Sequence, residues 1–142
     1  GFWRAVASAV LILLANVAFG HGNLASVGLD ALMLAAVPAW VSWNIQRILE
    51  RRLPNHFFIY VLGNGFFGAL LSVVTIGLTV TAVMSLSGAY RLDYLLDHYT
   101  PYVTVLVGWG EAFMTGMAVT LMAVYRPAWL ESFDDARYLR NK

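Results

Sequence analysis

The 142-residue sequence holds 9 Lys or Arg and 8 Asp or Glu, for a formal net charge of +1, while 60% of its residues are hydrophobic; its mean hydropathy is +0.68. A water-soluble domain of this length has too little interior to hide so much apolar surface, so the composition makes the bilayer the expected solvent. The small net charge, with no basic face interleaved with aromatics, gives no footing for nucleic acid, and the lack of cysteine excludes disulfides and thiolate metal sites.

The chain opens on Gly1 rather than Met, so an upstream portion is expected to be cleaved or missing. Arg4 and the apolar run to Phe19 have the outline of a secretory signal. Because the runs that follow are equally apolar, residues 3–19 are read as the first of about four spans. The second covers 29–46, where Ala31, Ala35 and Ala39 recur every four residues and put small side chains on one helical face. Residues 53–90 contain no Asp, Glu, Lys or Arg, and the third span, 56–86, is long enough to include an interfacial stretch at 56–60 before it enters the membrane. Between Tyr90 and Tyr99, Tyr and Leu alternate with Arg, Asp and His, a pattern that predicts a short helix lying on the membrane surface. The fourth span is 100–125. It carries a second small-residue row, Gly108, Ala112, Gly116 and Thr120, and a single charged residue, Glu111.

Loops and tails carry the charge. Arg4, Arg47, Arg51, Arg52, Arg126, Arg137, Arg140 and Lys142 fall in alternate flanks, against Arg91 alone in the others. This asymmetry predicts that both termini and the 47–55 loop are cytoplasmic. The expected architecture is an all-α polytopic bundle over 1–125 followed by a cytoplasmic tail, 126–142. The opposite face then holds His21, Asp30, Asp93, Asp97 and His98 against Arg91, a net acidic surface that draws cations. Trp3, Trp40, Trp43, Tyr60, Tyr90, Tyr94, Tyr99, Tyr102, Tyr125 and Trp129 sit near the span boundaries, at the headgroup level that amphipathic rings prefer.

Few residues offer chemistry. Glu111 is costly at membrane depth and is expected to face the bundle, a partner or a water-filled cavity. It is either an ion or substrate contact, or a protonated carboxyl hydrogen-bonded to a neighbour such as Asn16 or Asn64. In the run Gly20-His21-Gly22-Asn23 the imidazole is not needed for packing; Asn23, Asp30 and His98 are the residues that could join it. Imidazole with carboxylate suits Ni, Co or Zn. The small-residue rows are expected to pack helices of this chain, or to dock a separate membrane partner. No nucleophile elbow, phosphate-binding glycine loop or His-Glu-x-x-His is present, so an enzyme is not expected.

Three runs resemble a known family. Gly20-His21-Gly22-Asn23-Leu24-Ala25-Ser26-Val27-Gly28 resembles the G-H-G-G-L-T-T-L-G run of the substrate-binding membrane subunit of cobalt and nickel energy-coupling-factor transporters, the CbiM/NikM type. Gly110-Glu111-Ala112-Phe113-Met114-Thr115-Gly116 resembles its G-E-A-L-I-T-G, and Arg126-Pro127 the R-P that follows. The tail, Phe133-Asp134-Asp135-Ala136-Arg137-Tyr138-Leu139, is similar to a proteobacterial branch. The sequence departs from the family where Asn23 replaces a glycine, Ala25-Ser26 replaces two threonines, and Leu29-Asp30 stands for Ala-Asn.

The resemblance implies a multi-pass protein of the bacterial inner membrane that captures a divalent metal ion, cobalt or nickel, as transported substrate. It implies a transmembrane coupling subunit and cytoplasmic ATPase subunits as partners. The family's principal metal ligands, the N-terminal amine, a histidine at position two and a histidine in S-x-H-P-T-G, have no counterpart here. His21, Asn23, Asp30 and Glu111 are therefore expected to act around a site rather than as its main ligands. On this reading the chain is the C-terminal part of such a subunit, or its branch has lost metal binding. The alternative function is an accessory subunit that stabilises a larger membrane complex and transports nothing.

Overall fold

The computed structural model describes residues 1–54, 56–133 and 138. Four helices run up and down: α1 (Phe2–Ala18), α2 (Val27–Arg52), α3 (Phe57–Leu86) and α4 (Leu92–Tyr125), followed by a 3-10 turn at Pro127–Trp129. No strand occurs among the described residues. The last three are long and apolar enough to cross a membrane, and α1 is a shorter apolar helix. At 34 residues α4 is about 51 Å long by helical rise, well beyond a hydrocarbon core of about 30 Å.

Packing is the reverse of a soluble globule. Small residues are among the deepest positions, with Ala112 at 0% and Ala35 at 2% exposure, while Leu11, Leu106, Phe113 and Met114 stand more than 60% exposed. Such a surface is untenable in water and suits lipid, where close backbone approach drives helix association.

The α3–α4 pair is the spine. A Cβ added to Gly65 would meet Gly116 Cα at 3.2 Å and Val119 Cβ at 3.3 Å. One added to Gly116 would meet Phe66 Cβ at 3.5 Å, and one added to Gly77 would meet Thr104 Cγ2 at 3.1 Å. The antiparallel register held by Gly65 with Gly116 and by Gly77 with Thr104 continues to Thr81 and Thr100, both buried, whose hydroxyls lie 2.7 Å apart. Thr81 Oγ1 also donates to Gly77 O, so the interhelical contact leaves no orphaned hydroxyl. On the other side of α3, Ser72 Oγ donates to Gly68 O at 2.8 Å and to Pro38 O of α2 at 3.2 Å. The outermost helix, α1, packs along α2 and buries no residue completely.

Pro38 and Pro101 lie inside helices rather than at their ends. Proline lacks the N–H that bonds back one turn, and its ring crowds the carbonyl four residues earlier. The turns beside each proline are widened to π geometry: Leu32–Ala36 before Pro38, and Leu95–Tyr99 and Tyr102–Val107 around Pro101. This widening takes up the misfit without breaking the helix. It also corrects the expectation of a separate surface helix at 90–99, since Leu92–Tyr99 is the first part of α4 and its Leu95 is 2% exposed. The expected interfacial stretch at 56–60 is likewise continuous with α3, where a fourth π segment, Tyr60–Phe67, follows at once.

After α4 the chain folds back. Tyr60 and Phe133 meet as tilted rings with centroids 5.1 Å apart, Tyr138 stacks on Phe133, and Tyr60 Oη lies 2.7 Å from Ser132 Oγ. Arg4 Nη1 lies 3.5 Å from Glu131 Oε2. The start of α1 and the segment after α4 thus share one end of the bundle. The remaining tail residues read as resembling a family branch, and the basic Arg137, Arg140 and Lys142, lie outside the described residues.

Gly116→Leu is expected to cost about 1–3 kcal/mol or more through overpacking against Phe66, whereas Leu121→Ala, at a 51% exposed position, should change stability by no more than about 0.5 kcal/mol. Denaturant unfolding in detergent micelles measures both; equal losses would place the row against lipid. Thr100→Val should cost about 0.6–1.7 kcal/mol, the range of membrane interhelical hydrogen bonds, and combining it with Thr81→Val should add much less than a second such loss.

Candidate functional site

The loop between α1 and α2 is built by local hydrogen bonding. Gly20 takes a positive φ of +79°, a conformation that favours glycine, and turns the chain out of α1. The His21 N–H donates to Asn16 O at 2.8 Å, closing the end of that helix. Asn23 Oδ1 accepts from the Ala25 N–H at 3.0 Å, and Ser26 Oγ bonds Asn23 O at 3.1 Å and Asp30 Oδ2 at 2.8 Å. Ser26 is thus the hinge of the loop, tying its middle to the first turn of α2. The Asp30 carboxylate spends one oxygen on this task. The His21 side chain is exposed and makes no hydrogen bond among the described residues.

At the same end, Tyr94 and His98 stack with ring centroids 4.6 Å apart and Tyr90 stacks on Tyr94 at 6.2 Å. Together with Met84, Leu95, Tyr99 and Tyr102 they line a shallow cleft of about 370 Å³. His98 Nδ1 lies 3.2 Å from Tyr94 O, so this ring is engaged within its own helix. Arg91 pairs with Asp93 at 2.7 Å, which neutralises the one cation of that end. Among the described residues no three His, Asp or Glu side chains converge, so His21, Asp30 and His98 do not form a shared ligand cluster. The aromatic stack was not read from the sequence as a cleft, although Tyr90, Tyr94, His98 and Tyr102 recur at the four-residue helical interval.

Glu111 lies elsewhere, near the middle of α4. Gly108 and Ala112 beside it are buried against α3, while Glu111 itself is exposed on a lateral groove of about 480 Å³. The groove runs between α2, α3 and α4, with Leu34, Pro38, Ser42, Ser72, Ile76 and Val107 on its walls. The expected bond to Asn16 or Asn64 is not made among the described residues. Asn16 Nδ2 donates to Ile12 O within α1, and Asn64 Oδ1 is buried without a partner. Asn16 is held away by the order of packing, since α1 sits on α2 rather than beside α4.

The two small-residue rows differ in burial. Gly108, Ala112 and Gly116 are buried along α3 and Thr120 is half-buried, its hydroxyl turned back to Gly116 O at 2.7 Å. Of Ala31, Ala35 and Ala39, only Ala35 is fully buried.

These features define a multi-pass membrane helical bundle with a hydrogen-bonded loop and an aromatic cleft at one end and a basic rim at the other. The family model for CbiM, cobalt uptake substrate-specific transmembrane region, matches residues 1–129, and the chain belongs to that family. It is a substrate-specific membrane component of cobalt uptake, from a transport family rather than an enzyme family. Comparison with curated proteins and with solved structures gave no match.

Ser26→Ala and Asp30→Ala are each expected to loosen the loop by about 1 kcal/mol. Because they remove the same hydrogen bond, the double variant should cost clearly less than the two together. Amide hydrogen exchange at residues 23–30 in detergent reads the effect; full additivity would show that the Ser26–Asp30 bond does not order the loop.

Proposed function

We propose that the chain is the membrane substrate-capture subunit of an energy-coupling-factor ABC transporter in the bacterial inner membrane, taking up cobalt or nickel. The observation that carries this is the family match across residues 1–129. The sequence has no nucleotide-binding motif, so a transmembrane coupling subunit and cytoplasmic ATPases supply the energy. Arg4, Arg47, Arg51, Arg52 and Arg126 crowd one end of the bundle, and this basic rim supports placing that end, with both termini, in the cytoplasm. His21, Asn23 and Asp30 then face the outside.

In this reading the loop supports a metal path rather than supplying its principal ligands. Ser26 holds Asp30 and the Asn23 backbone in place, and His21 stands free at the rim as the one imidazole of the loop. An acidic outer face with a free imidazole raises the local concentration of divalent cations before capture.

Uptake of labelled cobalt and nickel by cells expressing the full-length protein with its partner subunits tests the function. Uptake above a partner-deleted control is expected, with His21→Ala lowering it severalfold; no uptake above that control would favour a non-transporting accessory subunit. Sidedness is tested independently by single-cysteine labelling of this naturally cysteine-free chain. Cysteine at position 51 should react only from the cytoplasm and cysteine at position 98 only from outside, and labelling of both from one side would refute the orientation.

A further inference from the structure

Among the described residues, none fills the groove that holds Glu111. Glu111 stands near the midpoint of the 34-residue α4, about 21 Å by helical rise from its Tyr125 end, and so within the hydrocarbon core wherever α4 crosses. A carboxylate at this depth requires a partner, a cavity or a compensating charge. Its side chain is exposed and makes neither an ion pair nor a hydrogen bond among the described residues. Apart from Glu111, the groove walls are polar only at Ser42 and Ser72, and the Ser72 hydroxyl is already engaged with Gly68 O and Pro38 O. Pro38 of α2, the small Ala69 of α3 and Val103 of α4 complete the lining.

From this geometry we infer that the groove is the docking site for a transmembrane helix of a different protein that carries a basic side chain at mid-membrane depth and sets it against Glu111. The inference rests on the reading of the chain as one subunit of a membrane assembly. Charge complementarity selects this occupant. A second copy of residues 1–142 brings no such cation, because they hold no Lys or Arg between Arg4 and Arg47, between Arg52 and Arg91, or between Arg91 and Arg126. An apolar helix without a cation fills the volume and leaves the carboxylate unpaired in a medium where that is costly. A helix with an arginine or lysine pairs it, and Ser42, which also lines the groove, adds a hydroxyl able to accept a hydrogen bond.

The test uses the whole chain in lipid nanodiscs, labelled with a fluorescent donor through Ser87→Cys, a position outside the groove. The probes are acceptor-labelled Leu/Ala host transmembrane peptides with arginine at the centre, leucine at the centre, or arginine at one end. The central-arginine peptide is expected to associate at least about tenfold more tightly than the other two. Glu111→Gln, which preserves shape, should reduce it to the level of the leucine peptide. Ile76→Trp, which fills the groove, should weaken it as well. Thermal unfolding shows whether each variant remains folded, and agreement between the two keeps the result independent of a folding defect in either. Equal association of all three peptides with the wild type overturns the inference, as does undiminished binding of the central-arginine peptide to Glu111→Gln. Glu111-dependent self-association without peptide overturns it in favour of a second copy. Metal uptake is not part of the readout, so failure here leaves the transport function standing, and failure of uptake leaves the docking result standing.

Discussion

The near contact of two backbones, Gly65 of α3 against Gly116 of α4, is the constraint from which the rest of the architecture follows. A Cβ added at Gly65 would lie only 3.2 Å from Gly116 Cα, so the absence of a side chain there is what lets the two backbones come this close. This pins the register that brings Thr81 to Thr100 on the far side of the same interface. It also fixes the rotation of α4, so that Gly108 and Ala112 face inward and Glu111, one residue from Ala112, falls at the edge of the contact. In lipid no hydrophobic force favours burying leucine over exposing it, so dispersion between closely placed backbones and a few hydroxyl bonds must hold the helices.

Much of this was legible in the sequence for a plain physical reason. Membrane depth penalises charge strongly, so the uncharged stretch 53–90 and the one-sided distribution of arginines report spans directly. The row from Gly108 to Thr120 was legible because a four-residue interval maps onto one helical face. Which helix it would meet was not, since both α2 and α3 offer small residues. The structure chooses α3 through the close approach of Gly65 and Gly77 to α4.

What escaped the sequence reading has a common cause. The segment 90–99 reads as a separate surface helix because Tyr and Leu alternate there with Arg, Asp and His. The widened turns on either side of Pro101 let α4 run through it, and hydropathy carries no signal for such a turn. The placement of Glu111 failed to follow its expected partners for a different reason. Asn16 and Asn64 lie in the right kind of segment, but proximity between spans depends on packing order, and α1 lies outside α2. In the outer loop, Ser26 and Asp30 form a built contact while His21 remains free, a division of labour that residue identity alone does not reveal.

The widened turns also bear on how such a chain changes over time. Each residue of a regular helix advances the side-chain direction by about 100°, so gaining or losing one residue in a membrane helix ordinarily sweeps every later side chain onto another face. A π turn is a place where the helix has absorbed an extra residue without loss of continuity. Residues 102–107 sit immediately before Gly108, so this local slack sets the phase at which the whole lower half of α4 meets α3. Insertions and deletions are therefore unequal along the chain: one at these loose coils can be taken up as a change of local pitch, whereas one between Gly108 and Gly116 throws the glycine seam out of step.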